Sequence, residues 1–217
     1  MRVRTPWIFD LGAGLYDFIT DQPIWQEHCR RMVPLVPGAR VLDLGIGPGV
    51  SGIAMAKAAP ATLFVGVDLA APMIARAKRH VAENGVHLPL LRGDVAHLPF
   101  PDASFDGATA HSFLYLLPDS AAALREIFRV VRPGGRVVFL EPGRAAAGRA
   151  RVTALARSVR ANGRFGLSMI LWNVFSALHG RWSVDSLAGA LEAAGFRAPH
   201  VVATLDGLGL LADADRP

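Results

Sequence analysis

The sequence predicts an α/β fold in which a mostly parallel β-sheet is covered by helices on both faces. Two observations lead to this prediction. Short apolar runs typical of strands alternate with amphipathic helical segments, and a glycine-rich turn at residues 45–49 joins a predicted strand to a predicted helix. The 217 residues, of which 52% are hydrophobic and 19% charged, suit a single domain with a large core.

Strands and helices alternate along most of the chain. The predicted strands cover residues 40–44, 63–68, 86–92, 105–110, 136–140, 196–203 and 205–211. The predicted helices cover residues 50–59, 72–84, 120–132 and 183–194. Pro72 suits a first helical turn, and Asp119 or Ser120 is expected to cap the third helix. The triplet Pro133-Gly134-Gly135 is expected to end that helix, and the last two strands are expected to pair as a closing hairpin.

Composition excludes several classes of protein. Cys29 is the single cysteine, so neither an internal disulfide nor a paired-cysteine zinc or redox site is possible. Asp10 interrupts the apolar stretch that a signal peptide would need, and the longest apolar stretch, about residues 165–178, is too short to span a bilayer. No cluster with metal-ligand spacing is visible. We therefore expect a cytoplasmic protein that binds no metal.

The glycine-rich turn and three acidic residues predict the ligand. Residues 47–52 also fit the GxGxxG dinucleotide pattern, so an NAD-dependent oxidoreductase is an alternative. Asp43, just before the turn, would repel a pyrophosphate and suits a cationic ligand. Asp68, at the end of the next strand, can bind ribose hydroxyls, and Asp94 can bind the adenine amine. These features describe an adenosine with a positively charged amino-acid arm, which is S-adenosylmethionine.

Four motifs between about residues 38 and 142 occur in an informative order. They read VLDLGIGPG, GVDLAAPMIARAK, GDVAHLPFPDASFD and LREIFRVVRPGGRVVFLEP. The chain resembles the class I S-adenosylmethionine-dependent methyltransferases, in particular the small-molecule and lipid/quinone group. This resemblance implies a Rossmann-like, seven-stranded sheet with an antiparallel last strand, and a cofactor bound across the carboxyl ends of the strands.

The resemblance also implies site residues. By motif position, the cofactor-binding residues would be Asp43, Gly45, Gly47, Asp68, Leu69, Met73, Asp94, Val95 and His111. Tyr16 lies in a Tyr-Asp segment like the one with which many members close a helix over the cofactor, although a packing role is equally open. An acceptor that must lose a proton requires a catalytic base, and the candidates are His111, Tyr115 and Glu141.

We expect residues 1–217 to form a single methyltransferase domain with two additions that cap the substrate. Residues 1–34 form the N-terminal helical cap, and residues 143–182 form a basic and apolar helical insertion. No acidic residue lies between Glu141 and Asp185, so the seven arginines there contribute +7 against a total charge of +5. On a helix, Val152, Leu155 and Val159 share the face opposite the arginines.

The basic and apolar insertion predicts the class of acceptor. A cationic face beside large apolar side chains favours contact with an anionic membrane, through residues 144–178, at the inner membrane surface. The acceptor is then a lipophilic small molecule, such as a phospholipid amine or a quinone precursor. A water-soluble metabolite is the alternative, and the apolar stretch also fits simple core packing. Nucleic acid is a disfavoured partner because residues 109–113 lack the Asn/Asp-Pro-Pro-aromatic tetrapeptide. The oligomeric state stays open.

Overall fold

The computed structural model describes residues 22–217. Seven strands in this part of the chain form one sheet. They are β1 Arg40–Leu44, β2 Leu63–Asp68, β3 Leu90–Arg92, β4 Phe105–His111, β5 Val131–Pro142, β6 Arg197–Thr204 and β7 Gly209–Asp215. Their spatial order is β3-β2-β1-β4-β5-β7-β6. Strand β7 runs antiparallel to both of its neighbours, and the other pairs are parallel. The predicted fold class is confirmed.

The helices of the described residues lie between and beside these strands. They are α1 Pro23–Arg30, α2 Val50–Ala58, α3 Ala71–Asn84, α4 Ser120–Val130, α5 Gly148–Ala161, α6 Gly163–His179 and α7 Val184–Ala193. Short 3₁₀ turns cover Val33–Leu35, Leu114–Leu116 and Leu205–Gly207. Gly85 ends α3 in a left-handed conformation, with φ of 62°. The Asp119 carboxylate caps α4 by accepting a hydrogen bond from the backbone N–H of Ala122 at 2.9 Å.

Three predicted boundaries are wrong, for local reasons. Strand β3 begins at Leu90 and not at residue 86, because Pro89 just before it has no N–H to donate to the sheet. Residues 133–135 do not end α4, which already ends at Val130 with β5 following directly. The last strand begins at Gly209, because Leu205 and Asp206 take left-handed φ values of 52° and 55° and reverse the chain there.

Alternate residues of the central strands fill two separate core layers. In β5, Val137 and Phe139 belong to the layer under α4 and α7. Val138 and Leu140 belong to the layer on the other face, which includes Met55 of α2. Because strand side chains alternate between faces, the middle of the sheet is buried on both sides.

Helices α1, α5 and α6 share a third cluster of buried side chains. Its members are Trp25, Ala146, Ala154, Phe165, Met169 and Leu208. Helices α5 and α6 pack closely, because a Cβ atom on Gly166 would lie only 2.3 Å from Cα of Val159. The predicted apolar face of α5 is largely exposed and does not make the main contact with the core. Val152 is 68% exposed, and the buried contact is made by Ala154. Among the described residues, no helix combines the length and the apolarity needed to cross a bilayer.

Candidate functional site

Asp43 lies beneath the glycine-rich turn and ties three elements together. Its Oδ2 accepts a hydrogen bond from the hydroxyl of Ser51 in α2, and its Oδ1 accepts one from the hydroxyl of Thr109 in β4, both at 2.9 Å. The side chain is buried, and this burial raises the pKa of Asp43 to about 7. Asp43 therefore fixes the turn against the sheet.

The glycine-rich turn needs its glycines for two different reasons. Gly45, Gly47 and Gly49 all have left-handed φ values, of 62°, 55° and 96°. A Cβ atom on Gly45 would lie 2.0 Å from Cδ2 of Phe113, so that ring rests directly against the backbone. The space at Gly47 is open, because its nearest neighbour would be a carbonyl oxygen at 3.9 Å. A ligand can therefore approach the backbone at Gly47.

The carboxyl end of β2 carries the next acidic group. Asp68 accepts hydrogen bonds from the backbone N–H of Gly47 at 2.9 Å and from that of Ala70 at 2.8 Å. Partial burial raises the pKa of Asp68. Each carboxylate oxygen accepts one of these hydrogen bonds and has lone-pair capacity for a second donor. The neighbouring Leu69 is 63% exposed, so it offers an apolar surface beside that carboxylate.

The remaining predicted adenine contacts differ in exposure. Asp94 follows β3, and its half-exposed carboxylate accepts a hydrogen bond from the backbone N–H of Ala96 at 2.9 Å. Val95 and Met73 are both buried. Asp94 can thus reach a ligand from the surface, whereas Met73 and Val95 can contribute only to the wall beneath it.

His111 at the end of β4 lies beside an aromatic cluster formed by Trp25, Phe165 and Trp172. Its ring centroid is 5.2 Å from that of Trp25, edge to face. Trp25 is 5.5 Å from both Phe165 and Trp172. Nε2 of His111 is buried, and none of the described residues offers it a hydrogen bond. Burial lowers the pKa of His111 to about 4, so the ring is neutral at pH 7.

Two tryptophan N–H groups fix this cluster to its surroundings. Trp25 donates to the hydroxyl of Ser168 at 2.6 Å, which links α1 to α6. Trp172 donates to the hydroxyl of Ser112, which links α6 to the residue after β4. Ser112 itself has a left-handed φ of 58°, an uncommon conformation for a residue with a side chain. The three elements therefore meet over the end of β4.

Glu141 in β5 holds the turn that follows β4. Its Oε1 accepts the backbone N–H groups of Phe113 and Leu114 at 2.8 Å, and its Oε2 accepts that of Tyr115 at 3.3 Å. The side chain is fully buried, and burial raises the pKa of Glu141 to about 7. Glu141 thereby positions Phe113 against the glycine-rich turn.

The structure brings most of the predicted site residues to the carboxyl ends of β1, β2, β3, β4 and β5. Tyr16 lies outside the described residues. Sequence reasoning missed Trp25, Ser112, Phe113 and Trp172. The two residues after β4 could have been found from their position next to His111. The two tryptophans join the aromatic cluster beside His111 only through long-range packing, which the local sequence pattern does not predict.

Comparison with known proteins shows a similarity to methyltransferases. Residues 41–135 match the family model described as a methyltransferase domain, in the region that also holds three of the four ordered motifs. Over this stretch the chain is similar to methyltransferase domains. S-adenosylmethionine is the cofactor that this similarity implies, and the residues present fit it: the backbone at Gly47 is open, Asp68 keeps acceptor capacity, and Leu69 offers an exposed apolar face.

The names of the curated relatives differ in the acceptors that they give. A demethylmenaquinone methyltransferase of Lactiplantibacillus plantarum is 42% identical over 144 residues, which is 62% of this chain and 60% of that protein. A nocamycin O-methyltransferase of Saccharothrix syringae is 36% identical over 140 residues, covering 62% of this chain and 50% of that protein. The chain thus spans about 60% of the length of the first of these relatives.

Solved structures share the fold of this chain over nearly its whole length. The [4+2]-cyclase SpnF superposes with a TM-score of 0.71 at 19% identity, covering 99% of this chain and 95% of the other. A methyltransferase of Thermotoga maritima, described as a possible histamine N-methyltransferase, gives a TM-score of 0.70 at 18% identity, with 97% and 99% coverage. At this identity the likeness shows the fold alone.

Proposed function

We propose that this protein transfers the methyl group of S-adenosylmethionine to a lipophilic, hydroxylated aromatic acceptor of the quinol type. The observation that carries the proposal is Nε2 of His111, which has no hydrogen-bond partner among the described residues and lies beside the cluster of Trp25, Phe165 and Trp172. Aromatic walls suit a flat apolar ring, and a buried nitrogen without a partner gains free energy when a ligand hydroxyl binds it. The relatives named demethylmenaquinone methyltransferases support an acceptor of this class.

The cofactor supplies an electrophilic methyl group on its sulfonium, and this chain's residues bind and orient it. We assign the ribose hydroxyls to Asp68, the exocyclic adenine amine to Asp94, and the adenine wall to Leu69, Met73 and Val95. The methionine arm lies along the turn at Gly45 and Gly47. Because the side chain of Asp43 is buried beneath the turn, Asp43 acts on the amine of that arm through water.

The pKa values of His111 and of a phenol-like hydroxyl indicate how His111 acts on the acceptor. A phenol-like hydroxyl has a pKa of about 10, and the pKa of His111 is about 4. Complete proton transfer before methylation would therefore cost roughly 8 kcal/mol, from about 6 pKa units at 1.36 kcal/mol each. His111 accordingly accepts a hydrogen bond from the hydroxyl and orients it. The proton moves to Nε2 only as the acceptor's electrons enter the new bond.

The other two catalytic candidates take different roles in this proposal. Both oxygens of Glu141 accept backbone N–H groups, so Glu141 is a positioning residue for the turn after β4. Tyr115 is buried beside that turn and stays the second candidate for proton transfer. His111 is preferred because it lies beside the aromatic cluster.

A methyl-transfer assay with a panel of acceptors tests the proposed function. Labelled S-adenosylmethionine is incubated with the full chain and one of three acceptors: demethylmenaquinone kept in its quinol form by a chemical reductant, phosphatidylethanolamine, or the water-soluble fraction of a cell extract. We expect label in the organic phase with demethylmenaquinone. Label only in water-soluble products would overturn the lipophilic acceptor and favour a soluble metabolite. Label in phosphatidylethanolamine alone would contradict the aromatic acceptor.

A further inference from the structure

Helix α6 is apolar on two opposite faces. Phe165, Met169 and Ser176 are buried on the face toward the protein. The other face carries large apolar side chains that are 37–77% exposed. They are Leu167, Ile170, Leu171, Val174 and Leu178. At 100° per residue these five fall within one stripe, opposite the buried face.

This exposed apolar stripe calls for a covering partner. A helix that is apolar all round is normally buried on all sides, and contiguous exposed apolar surface marks an interaction site. Helix α5 extends the apolar surface of the hairpin with Val152 and Val159, which are also exposed. Asn162 alone separates the two helices, and its side chain caps α6 by accepting the N–H of Phe165 at 3.1 Å. The hairpin is therefore one compact surface unit.

The charge of this hairpin indicates the partner's chemistry. Its exposed basic side chains are Arg144, Arg149, Arg157, Arg160 and Arg164, and residues 142–184 contain no acidic residue. Arg151 and Arg181 do not add to this surface, because both donate to Oδ1 of Asn173, at 2.7 and 3.0 Å. Arg157 is paired with the carboxylate of Asp206 at 3.7 Å, so the predicted basic surface is carried mainly by the other four of these exposed arginines.

We propose that the α5–α6 hairpin docks on an anionic lipid bilayer, with the α6 stripe among the acyl chains and the exposed arginines on the headgroup phosphates. The inference rests on the proposed function in one respect: Trp172 of the same helix lies beside Ser112 at the end of β4. A docked α6 would place that end of the sheet next to a membrane-dissolved acceptor.

Charge and composition favour a bilayer over other occupants. In a two-fold dimer built on this surface, the same patch faces itself, so the arginines of the two copies would repel each other. A nucleic-acid surface interleaves arginines with stacking aromatic side chains, whereas here the exposed neighbours are leucine, isoleucine and valine. Anionic lipid satisfies both the apolar and the cationic parts of the surface.

Vesicle flotation tests the proposal with the full chain. Vesicles of phosphatidylcholine alone are compared with vesicles that contain three-tenths phosphatidylglycerol. We expect binding to the anionic vesicles only, and weakening by salt. The double variant Arg149→Glu/Arg160→Glu should lose about 25-fold in affinity, from about fivefold for each basic residue near an anionic surface. Arg125 is an exposed residue of α4, outside the α5–α6 hairpin. Arg125→Glu reverses a charge there, and this control should bind the vesicles nearly as the wild type does.

The apolar stripe has its own matched pair of variants. Leu178 is 77% exposed, so substitutions there leave the core intact. Leu178→Asp should weaken vesicle binding by about tenfold, and Leu178→Trp should retain it. Equal binding of these two variants, or no binding of the wild type to anionic vesicles, would overturn the proposal. So would a wild-type dimer in sedimentation that Leu178→Asp converts to a monomer, because a second copy would then cover the stripe.

A second readout separates this proposal from the proposed function. Methyl transfer to a short-chain, water-soluble naphthoquinol is measured without vesicles. The docking variants should keep that activity and lose transfer to demethylmenaquinone in anionic vesicles. Wild-type vesicle binding without transfer to either quinol would overturn the acceptor class and support docking. Equal loss of both activities in Leu178→Asp would contradict docking.

Discussion

At the scale of single residues, burial determines how each polar group of the site behaves. Asp43, His111 and Glu141 are all enclosed, yet they meet different partners. Asp43 faces two hydroxyl groups and Glu141 faces three backbone N–H groups, while Nε2 of His111 faces none in the described chain. His111 is therefore the group with capacity left for the acceptor.

The first residue-scale prediction concerns the charge state of His111. Burial lowers its pKa to about 4, so the ring should stay neutral down to about pH 5. Titration of the imidazole signals by NMR should give a value well below the 6.5 of an ordinary histidine. His111→Asn should lower kcat by about 100-fold with little change in S-adenosylhomocysteine binding. An unchanged kcat would contradict the role proposed for His111.

A second prediction concerns Asp43 and the pH dependence of stability. Its folded-state pKa of about 7 lies above the ordinary 3.8. The stability that Asp43 contributes is therefore fully present below about pH 4 and is lost as the pH rises to 7. Relative to Asp43→Asn, the free energy of unfolding of the wild type should fall across that range, by on the order of 1 to 3 kcal/mol. Urea unfolding at a series of pH values measures this difference, and parallel curves would contradict it.

At the scale of elements, the glycine-rich turn and the turn after β4 act as one unit. Phe113 rests on Gly45, and Glu141 holds the backbone of Phe113. The bounds of β1 and β2 were predictable from their apolar runs, and so was the cap of α4 by Asp119. The bounds of β7 were not, because the left-handed conformations of Leu205 and Asp206 depend on tertiary packing.

The contact between Gly45 and Phe113 leads to a prediction with a built-in control. Gly45→Ala should lower stability by more than about 3 kcal/mol and abolish cofactor binding, since the Cβ atom would overlap the Phe113 ring in a left-handed residue. Gly85 has the same φ of 62°, but a Cβ atom there would have nothing within 4 Å. Gly85→Ala should therefore lower the free energy of unfolding by only about 1 kcal/mol. Thermal unfolding with and without S-adenosylhomocysteine compares the two. Similar losses in both variants would show that the ring contact is unimportant.

The Glu141 contacts give a second prediction at this scale. Glu141→Gln places an amide N–H₂ against backbone donors, so it should lower stability by about 1 to 3 kcal/mol and raise KM for S-adenosylmethionine. Glu192→Gln, on the exposed side of α7, is the matched control and should change neither. Steady-state kinetics and urea unfolding provide the readouts. A lower kcat at unchanged KM would instead favour proton transfer by Glu141.

At the scale of the whole molecule, the acidic residues assigned to the cofactor could be predicted from the sequence. The aromatic cluster assigned to the acceptor could not. The sequence predicts these three acidic residues, because each follows or ends an apolar run that predicts a strand. They are Asp43, Asp68 and Asp94. Trp25 comes to lie beside His111, and Trp172 beside Trp25, only when α1 and α6 pack together over β4. Both tryptophans also lie outside residues 41–135, which match the family model. The acceptor side is thus built by parts of the chain that the shared motifs do not describe.

The most direct test of this account is a calorimetric titration of the full chain with S-adenosylhomocysteine, for the wild type and for Asp68→Ala. The carboxyl edge of the sheet is predicted to bind one equivalent. Asp68→Ala should bind about 10- to 100-fold more weakly, because hydrogen bonds to a charged group contribute about 1.5 to 3 kcal/mol. No binding by the wild type, or equal affinity in both proteins, would contradict the site described at the ends of β1, β2 and β4.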